Sequence, residues 1–338
     1  MYQSRTKVFF RADGNSKIGL GHVIRSLALA EMIKSHFDCI FLIRTPSESL
    51  KIQLFNSCVE VIELPEENSL IDEAKYIIEK YIQKEDIVVL DGYSFSTDYQ
   101  KTVKRCGCKI VAIDDLHEWH FVVDVVINQA GLISIEDYSY ESYTQFLLGP
   151  QYALLRKPFL RTRPYVINQN VLVNLGGADP DNISLKILEA LKSFSLTITL
   201  IIGSANVHEN EINHYLKLNP QQEVTIRKNL SATEMAESIG ESGLVICSSS
   251  SIAYETASIG RPLIVIQTAA NQRDFRAFLE KSGLCLDTFN KEFDNEMLRT
   301  TIENYFTTKT LGKTIVDAQH EYFDGLSGSR LLNVFLGL

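Results

Sequence analysis

The sequence predicts two doubly wound, parallel-sheet (Rossmann-like) α/β domains in series, and three observations predict them. Short apolar runs alternate with amphipathic stretches of helical length along the chain, the pattern of strands joined by right-handed helical crossovers in a parallel sheet. The length, 338 residues, suits two cores of about 150 residues each better than one. The alternation breaks once, at residues 149–170, where GPQYALLRKPFLRTRPYVINQN gathers three of the eight prolines and the cations Arg156, Lys157, Arg161 and Arg163. That break is the expected junction between an N-terminal domain over residues 1–155 and a C-terminal domain over 156–338. The sequence leaves open whether the final helix, near residues 331–338, crosses back onto the first domain.

Each element has its own signal. The apolar run at 7–11 predicts a strand, followed by a glycine-rich turn and a helix over 22–35. Residues 39–44 and 59–63 are again strand-like, and 70–83 repeat apolar residues at helical spacing. A buried strand over 86–90, a helix over 97–105 and a strand over 109–113 follow, and strands at 122–127 and 144–148 close the first half. The second half starts with a strand over 171–175. It continues with helices over 182–193, 209–216, 232–240, 251–259 and 271–281, interleaved with strands at 196–202, 224–227, 244–247 and 262–267.

Composition narrows the function. Hydrophobic residues make up 45% and charged residues 22%, the balance of a globular protein. Acidic residues outnumber basic ones, 42 to 33, for a net charge of −9, which argues against nucleic-acid polymers and anionic membrane faces as partners. A diphosphate is still compatible, because a helix N-terminus and one or two local cations can hold it. The N-terminal MYQSRTKVFFRADG has no long apolar run or small-residue cleavage site, and no stretch approaches the ~18 apolar residues of a membrane span. A cytoplasmic protein without stable membrane insertion is expected. The six cysteines are scattered apart from Cys106-Gly107-Cys108, and His117 and His120 lack a matching cluster, so reduced thiols and no metal site are expected.

In open parallel sheets, ligands sit outside the C-terminal strand ends, on the loops that lead into helices. Three such loops carry unusual residues. In RADGNSKIGLGHVIRSLALA, Gly19-Leu20-Gly21 leads straight into a helix beginning near His22. The glycines let backbone N–H groups approach a ligand, and a histidine at the helix mouth is placed either as a base or as an ordinary first-turn residue. The spacing is not that of the dinucleotide fingerprint GxGxxG, and no acid follows in its role, which argues against a nicotinamide enzyme. In NLGGADPDNISLKILEA, Gly176-Gly177 permits close approach and Asp179-Pro180-Asp181-Asn182 forms a turn and cap. In CSSSSIAYETASIGRPLIVIQTAANQ, the serines open a helix and offer hydroxyls and N–H groups to a phosphate. Glu255 lies one turn in, where a carboxylate can accept both ribose hydroxyls, and Asn271-Gln272 begins another helix. Asp91-Gly92-Tyr93 sets an aromatic hydroxyl at a strand end. Asp114-Asp115 places two acids together, read as helix-capping and solvated.

Together, FRADGNSKIGLGHVIRSLALA, YALLRKPF, NLGGADPDN, SSSSIAYETASIG and AANQ resemble the UDP-2,4-diacetamido-2,4,6-trideoxy-β-L-altropyranose hydrolases of bacterial pseudaminic acid (nonulosonic acid) biosynthesis. The motifs run in order from residue 8 to about 272. The resemblance implies a GT-B fold, two domains facing a central cleft, and removal of UDP by water attack at the anomeric carbon with C–O cleavage and inversion. It makes His22 the general base, with Gly19 and Gly21 in the loop beside it, and lays Tyr93 against the sugar. It places Gly177, Ser249, Ser250, Glu255, Asn271 and Gln272 at the nucleotide, Glu255 on the ribose, and Arg156 near the cleft. Gly92 departs from members that carry a bulkier residue there. The expected ligands are a UDP-sugar substrate and UDP product, with no cofactor.

Three rivals remain open on sequence: a GT-B glycosyltransferase, a non-catalytic UDP-sugar-binding protein and a nonhydrolysing 2-epimerase. An exposed apolar or basic patch beside the first-domain loops would favour the transferase, and none is legible in this acidic chain. The oligomeric state is not legible either.

Overall fold

Strands form where β-branched and aromatic residues run together, and their alternation decides what each face of the sheet meets. A computed structural model describes residues 5–14, 20–308 and 310–338. The chain divides into two units, Met1–Arg156 with Leu326–Leu338, and Lys157–Gly325.

The first unit runs β1 (Lys7–Ala12), α1 (Gly21–Ile33), β2 (Asp38–Ile43), α2 (Glu48–Phe55), β3 (Glu60–Glu63), α3 (Leu70–Lys80), β4 (Ile87–Asp91), α4 (Thr97–Lys104), β5 (Lys109–Ile113), β6 (His120–Phe121), β7 (Val125–Asn128), β8 (Ser139–Tyr140) and β9 (Gln145–Leu148). Seven of these strands form one sheet in the order β3-β2-β1-β4-β5-β7-β9, with every pairing parallel. β6 and β8 pair separately. Along β1, Val8, Phe10 and Ala12 point into a core shared with α1, and Phe9 points into the opposite core with α3 and α4. β1 lies between β2 and β4, so the winding reverses there and the ends of β1 and β4 form the switch point where doubly wound sheets bind ligands.

The second unit runs β10 (Asn170–Asn174), α5 (Ile183–Leu191), β11 (Thr197–Ile202), α6 (Glu209–Leu218), β12 (Glu223–Lys228), α7 (Ala232–Glu241), β13 (Leu244–Ser248), α8 (Ser251–Ile259), β14 (Leu263–Gln267), α9 (Arg273–Lys281), β15 (Asp287–Asn290), α10 (Asn295–Thr307) and α11 (Leu311–Tyr322). Its six strands are again all parallel, in the order β12-β11-β10-β13-β14-β15. The last helix, α12 (Ser327–Leu336), is counted with the first unit and not with residues 157–325. It lies on α1, with Leu331 and Phe335 fully withdrawn into that core.

Several elements differ from expectation. The helix expected over 271–281 begins as a single tight turn, Ala270–Gln272, before α9. The strand expected over 122–127 is Val125–Asn128, because Val122 N–H donates instead to Gln100 Oε1. α2 is absent from the sequence reading: Leu50 and Leu54 are buried while Ile52 and Phe55 are exposed, so its apolar residues ring the helix and leave no clear stripe.

Because Leu331 has no exposure, Leu331→Ala should destabilise the first unit by ~2–5 kcal/mol in chemical denaturation. Leu336→Ala, at a side chain 55% exposed, should change it by less than ~0.5 kcal/mol.

Candidate functional site

Asp91 is the last residue of β4, at the switch point, and has no exposure. A carboxylate in that position must be matched by donors, and α1 supplies three of them. His22 Nδ1 lies 2.7 Å from Asp91 Oδ1. Arg25 Nη2 donates to Oδ1 at 2.6 Å and Nε to Oδ2 at 2.8 Å, and Ser26 Oγ donates to Oδ2 at 3.1 Å. Burial alone would push the Asp91 carboxyl up, but the Arg25 charge and the bonds from His22 and Arg25 outweigh it and hold it below the ordinary carboxylate range.

That contact fixes the imidazole. In the neutral imidazole, Nδ1 beside a carboxylate oxygen is the donor and Nε2 the acceptor. Arg25 Nη2, 3.1 Å from the same Nδ1, is therefore a neighbouring cation and not its donor. The His22 ring meets the Tyr93 ring edge-on, with centroids 4.7 Å apart. Tyr93 OH donates to Asp115 Oδ2 at 3.3 Å, and Arg25 Nη1 donates to the same oxygen at 3.0 Å. His22, Arg25, Asp91, Tyr93 and Asp115 thus form one connected group at the ends of β1, β4 and β5.

Of the sequence candidates in this unit, the structure brings His22 and Tyr93 together. Gly21 opens α1 with clear space where a Cβ would stand, and Gly19 lies outside the described residues. Arg156 is half-buried at the end of the unit's long segment. A Cβ at Gly92 would come within 3.0 Å of the Phe95 ring, so the glycine spares a clash. The pair Asp114-Asp115 is neither a helix cap nor a solvated pair, because no helix follows it. Asp114 accepts from His117 N–H at 2.8 Å and Tyr138 OH at 3.2 Å, and burial pushes its carboxyl up. Asp115 turns instead to Arg25 and Tyr93.

Sequence reasoning missed Arg25, Asp115 and the role of Asp91. The available signal was His22-x-x-Arg25-Ser26 at the head of an otherwise apolar helix: positions 22, 25 and 26 share one face, and a buried arginine there requires a carboxylate.

In the second unit, Ser249 is buried and its Oγ donates to Gln272 O at 3.2 Å. Ser248 and Ser250 hydroxyls lie 2.9 Å apart, and Ser250 caps α8 without a side-chain capping bond. Glu255 is buried on α8. Gln272 Oε1 accepts from Thr268 N–H at 2.8 Å and Thr268 Oγ1 at 3.2 Å, which closes the loop after β14 on itself, while Asn271 is exposed. Gly177 is exposed beside Gly176, whose φ is +90°. A Cβ on Gly203 would lie 2.6 Å from Gly177 Cα, so two strand-end loops touch there. Asp179 and Asp181 stand two apart, but both are engaged: Asp179 accepts from Ile183 N–H and Ser184 N–H at 2.9 Å, and Asp181 from Lys291 Nζ at 2.9 Å. Among the described residues no group of three or more His, Cys, Asp and Glu is placed to hold a metal ion, and no helix is long and apolar enough to cross a membrane.

No family model matches the chain. The chain is 28% identical over 301 residues to the UDP-2,4-diacetamido-2,4,6-trideoxy-β-L-altropyranose hydrolase of Campylobacter jejuni, an alignment covering 82% of this chain and 97% of that protein. It is 26% identical over 329 residues to an uncharacterised protein of Methanocaldococcus jannaschii, covering 93% of this chain but 62% of the archaeal one. Among solved structures, Acinetobacter baumannii MurG superposes with a TM-score of 0.67 at 12% identity over 98% of this chain and all of that one. Anabaena HepE in complex with UDP does so with 0.62 at 13% identity over 98% and 100%. The fold is α/β of the GT-B glycosyltransferase kind. The likeness to the Campylobacter hydrolase supports the resemblance drawn from the motifs.

Asp91→Asn strips Arg25 of one of its two carboxylates, and breaking a buried pair costs ~3–5 kcal/mol. Because folding lowers the Asp91 pKa, its contribution is complete above the unfolded value of about 3.9 and is lost as pH falls through the lower folded value. Urea denaturation should therefore show a gap between wild type and Asp91→Asn that is constant from pH 7 to about pH 5 and closes only in stronger acid.

Proposed function

We propose that this protein hydrolyses a UDP-linked amino sugar, a UDP-2,4-diacetamido-trideoxyhexose of the pseudaminic acid type, releasing UDP by inversion at the anomeric carbon. The observation that carries this reading is His22 held by Asp91 with Nε2 left as the acceptor. In the proposed step, a water oxygen attacks the anomeric carbon as the bond from that carbon to the UDP oxygen breaks. Nε2 of His22 takes the water proton, and UDP departs with the bonding electron pair.

The charges suit this step. Arg25 carries one positive charge against the two carboxylates of Asp91 and Asp115, so the group holds one surplus negative charge while His22 is neutral. Taking the water proton brings the group to neutrality, and a fixed counter-charge beside the forming imidazolium stabilises the transition state more than the ground state.

The nucleotide is assigned to the second unit: the α8 N-terminus with Ser249 and Ser250 for the diphosphate, Glu255 for the ribose, and Gly177, Asn271 and Gln272 beside them. Asn271 and Gln272 match the family's Asn-Gln, which approaches both diphosphate and sugar. Gly19, Gly21, Tyr93 and Arg156 are assigned to the sugar and the approach to it. The likeness to the Campylobacter hydrolase, and to HepE, which has been crystallised with UDP, supports a UDP-sugar as the ligand. We assign the site to a cytoplasmic biosynthetic enzyme.

A transferase of the same fold is the second reading, favoured by the GT-B glycosyltransferase kind of the fold. Release of free UDP from the UDP-sugar without any acceptor supports the hydrolase; release only with an acceptor would replace it by the transferase.

His22→Asn should lower kcat by 10²–10⁴-fold, the usual contribution of a general base, with UDP affinity little changed. Steady-state rates on folded protein check this, and a variant keeping more than about a tenth of the wild-type rate would reject His22 as the base. Separately, Glu255→Ala should weaken UDP binding by ~1–3 kcal/mol, the scale of a hydrogen bond to a charged group, as read by titration calorimetry. Unchanged affinity would remove Glu255 from the nucleotide site.

A further inference from the structure

Among the buried side-chain atoms described in the polar group around Asp91, one lacks a hydrogen-bond partner. Asp115 Oδ2 accepts from Arg25 Nη1 and Tyr93 OH, but Asp115 Oδ1 is buried without a hydrogen-bond partner. Every other carboxylate oxygen in the group is used: Asp91 Oδ1 and Oδ2 accept from His22, Arg25 and Ser26. A carboxylate oxygen withdrawn from water without a donor is unfavourable, and Asp115 cannot escape by turning, because a guanidinium and a phenol hold its other oxygen. One side of this group stays open to solvent, where Tyr93 is 40% exposed.

We infer that Asp115 Oδ1 accepts a hydrogen bond from an N–H or O–H donor on the sugar half of a nucleotide-activated substrate, which makes Asp115 a specificity-determining residue. This rests on the UDP-sugar reading above and adds to it the sugar's required chemistry at one point. A carboxylate oxygen accepts and cannot donate, so the matching sugar position must carry an amide N–H or a hydroxyl, and an ether or tertiary amide there leaves the oxygen unmatched. Asp115 is joined to the His22 ring through Tyr93, so the contact also orients the sugar toward the base.

Asp115→Asn is a pointed test. An amide in this place keeps its carbonyl oxygen toward the two donors, Arg25 and Tyr93, and so presents its NH₂ where Oδ1 stood, turning an acceptor into a donor. Titration calorimetry on the full chain, with UDP and with the UDP-linked 2,4-diacetamido sugar, reads binding alone when both proteins compared carry His22→Asn, so that the sugar nucleotide is not consumed. UDP should bind both proteins equally, and the UDP-sugar should bind the variant about 10- to 100-fold more weakly, the scale of a lost hydrogen bond to a charged group. A variant that binds the UDP-sugar within about twofold of the His22→Asn protein overturns the assignment. The His22→Asn protein alone supplies a second arm that does not depend on the Asp115 variant folding. UDP-sugars methylated at the amide nitrogens, or at the ring hydroxyl, should lose affinity in one of the two cases, and equal binding of both analogues also overturns it. UDP release by wild type, followed separately, tests the hydrolytic reading, so the two can fail independently.

Discussion

The Asp91 carboxylate, closed off from solvent at the end of β4, is the point on which the rest of the first unit's site depends. Its donors His22, Arg25 and Ser26 come from successive positions of one face of α1, so a single side chain sets how that helix is rolled against the sheet. It also sets which nitrogen of His22 carries the proton and where the Arg25 guanidinium points. Asp91 stays ionised despite its burial because Arg25 is there, and Arg25 remains buried and charged because Asp91 and Asp115 are there. Neither side is stable alone, and the pair is held at the switch point of the sheet where a ligand would be met.

A second charged group lies on the other side of β1. Alternation sends Arg11 to the face opposite α1, where its guanidinium makes paired bonds to Glu73 of α3 and to Asp13. Glu73 also pairs with Arg44 and accepts from Tyr99 OH, and Asp13 accepts from Arg44 N–H at 3.0 Å. Two carboxylates and two guanidiniums balance. Burial would raise the Asp13 carboxyl, but Arg11 and Arg44 bring it below its ordinary value. Apolar residues of the same volume would fill this space at less desolvation cost. The network therefore makes sense as an anchor: it ties the end of β1 to the end of β2 at the residue where the chain leaves for the glycine-rich segment before His22.

Much of the fold was legible because burial on both faces leaves an unmistakable apolar run, as in Ile87–Asp91 or Leu244–Ser248. α2 was not, since its exposed Ile52 and Phe55 break the stripe that periodicity looks for. In the site, His22 and Tyr93 were legible from residue type beside a glycine motif and a strand end. Asp91 stood in plain view in the sequence, but its partnership with His22 spans 69 positions, and no local pattern encodes such a pairing. Asp115 was misread for a related reason. Two adjacent acids look alike in sequence, yet alternation at the strand end turns Asp114 to Tyr138 and Asp115 to Arg25, giving them opposite surroundings.

Under the proposed reading, the two units meet different chemical demands with different materials. Activating water calls for a base whose acquired charge is answered at once, and the first unit supplies ionised groups in fixed geometry: one guanidinium, two carboxylates and an oriented imidazole. Holding a nucleotide that must later leave calls for the opposite. The second unit offers the serine hydroxyls and free N–H groups at the start of α8, with Ser249 and Gln272 bonded to each other across the loop. Neutral donors at a helix start attract a diphosphate without forming a desolvated ion pair that would have to be broken at release. A buried arginine in that loop would bind UDP more tightly and slow its departure, whereas Arg25 beside Asp91 keeps a carboxylate charged.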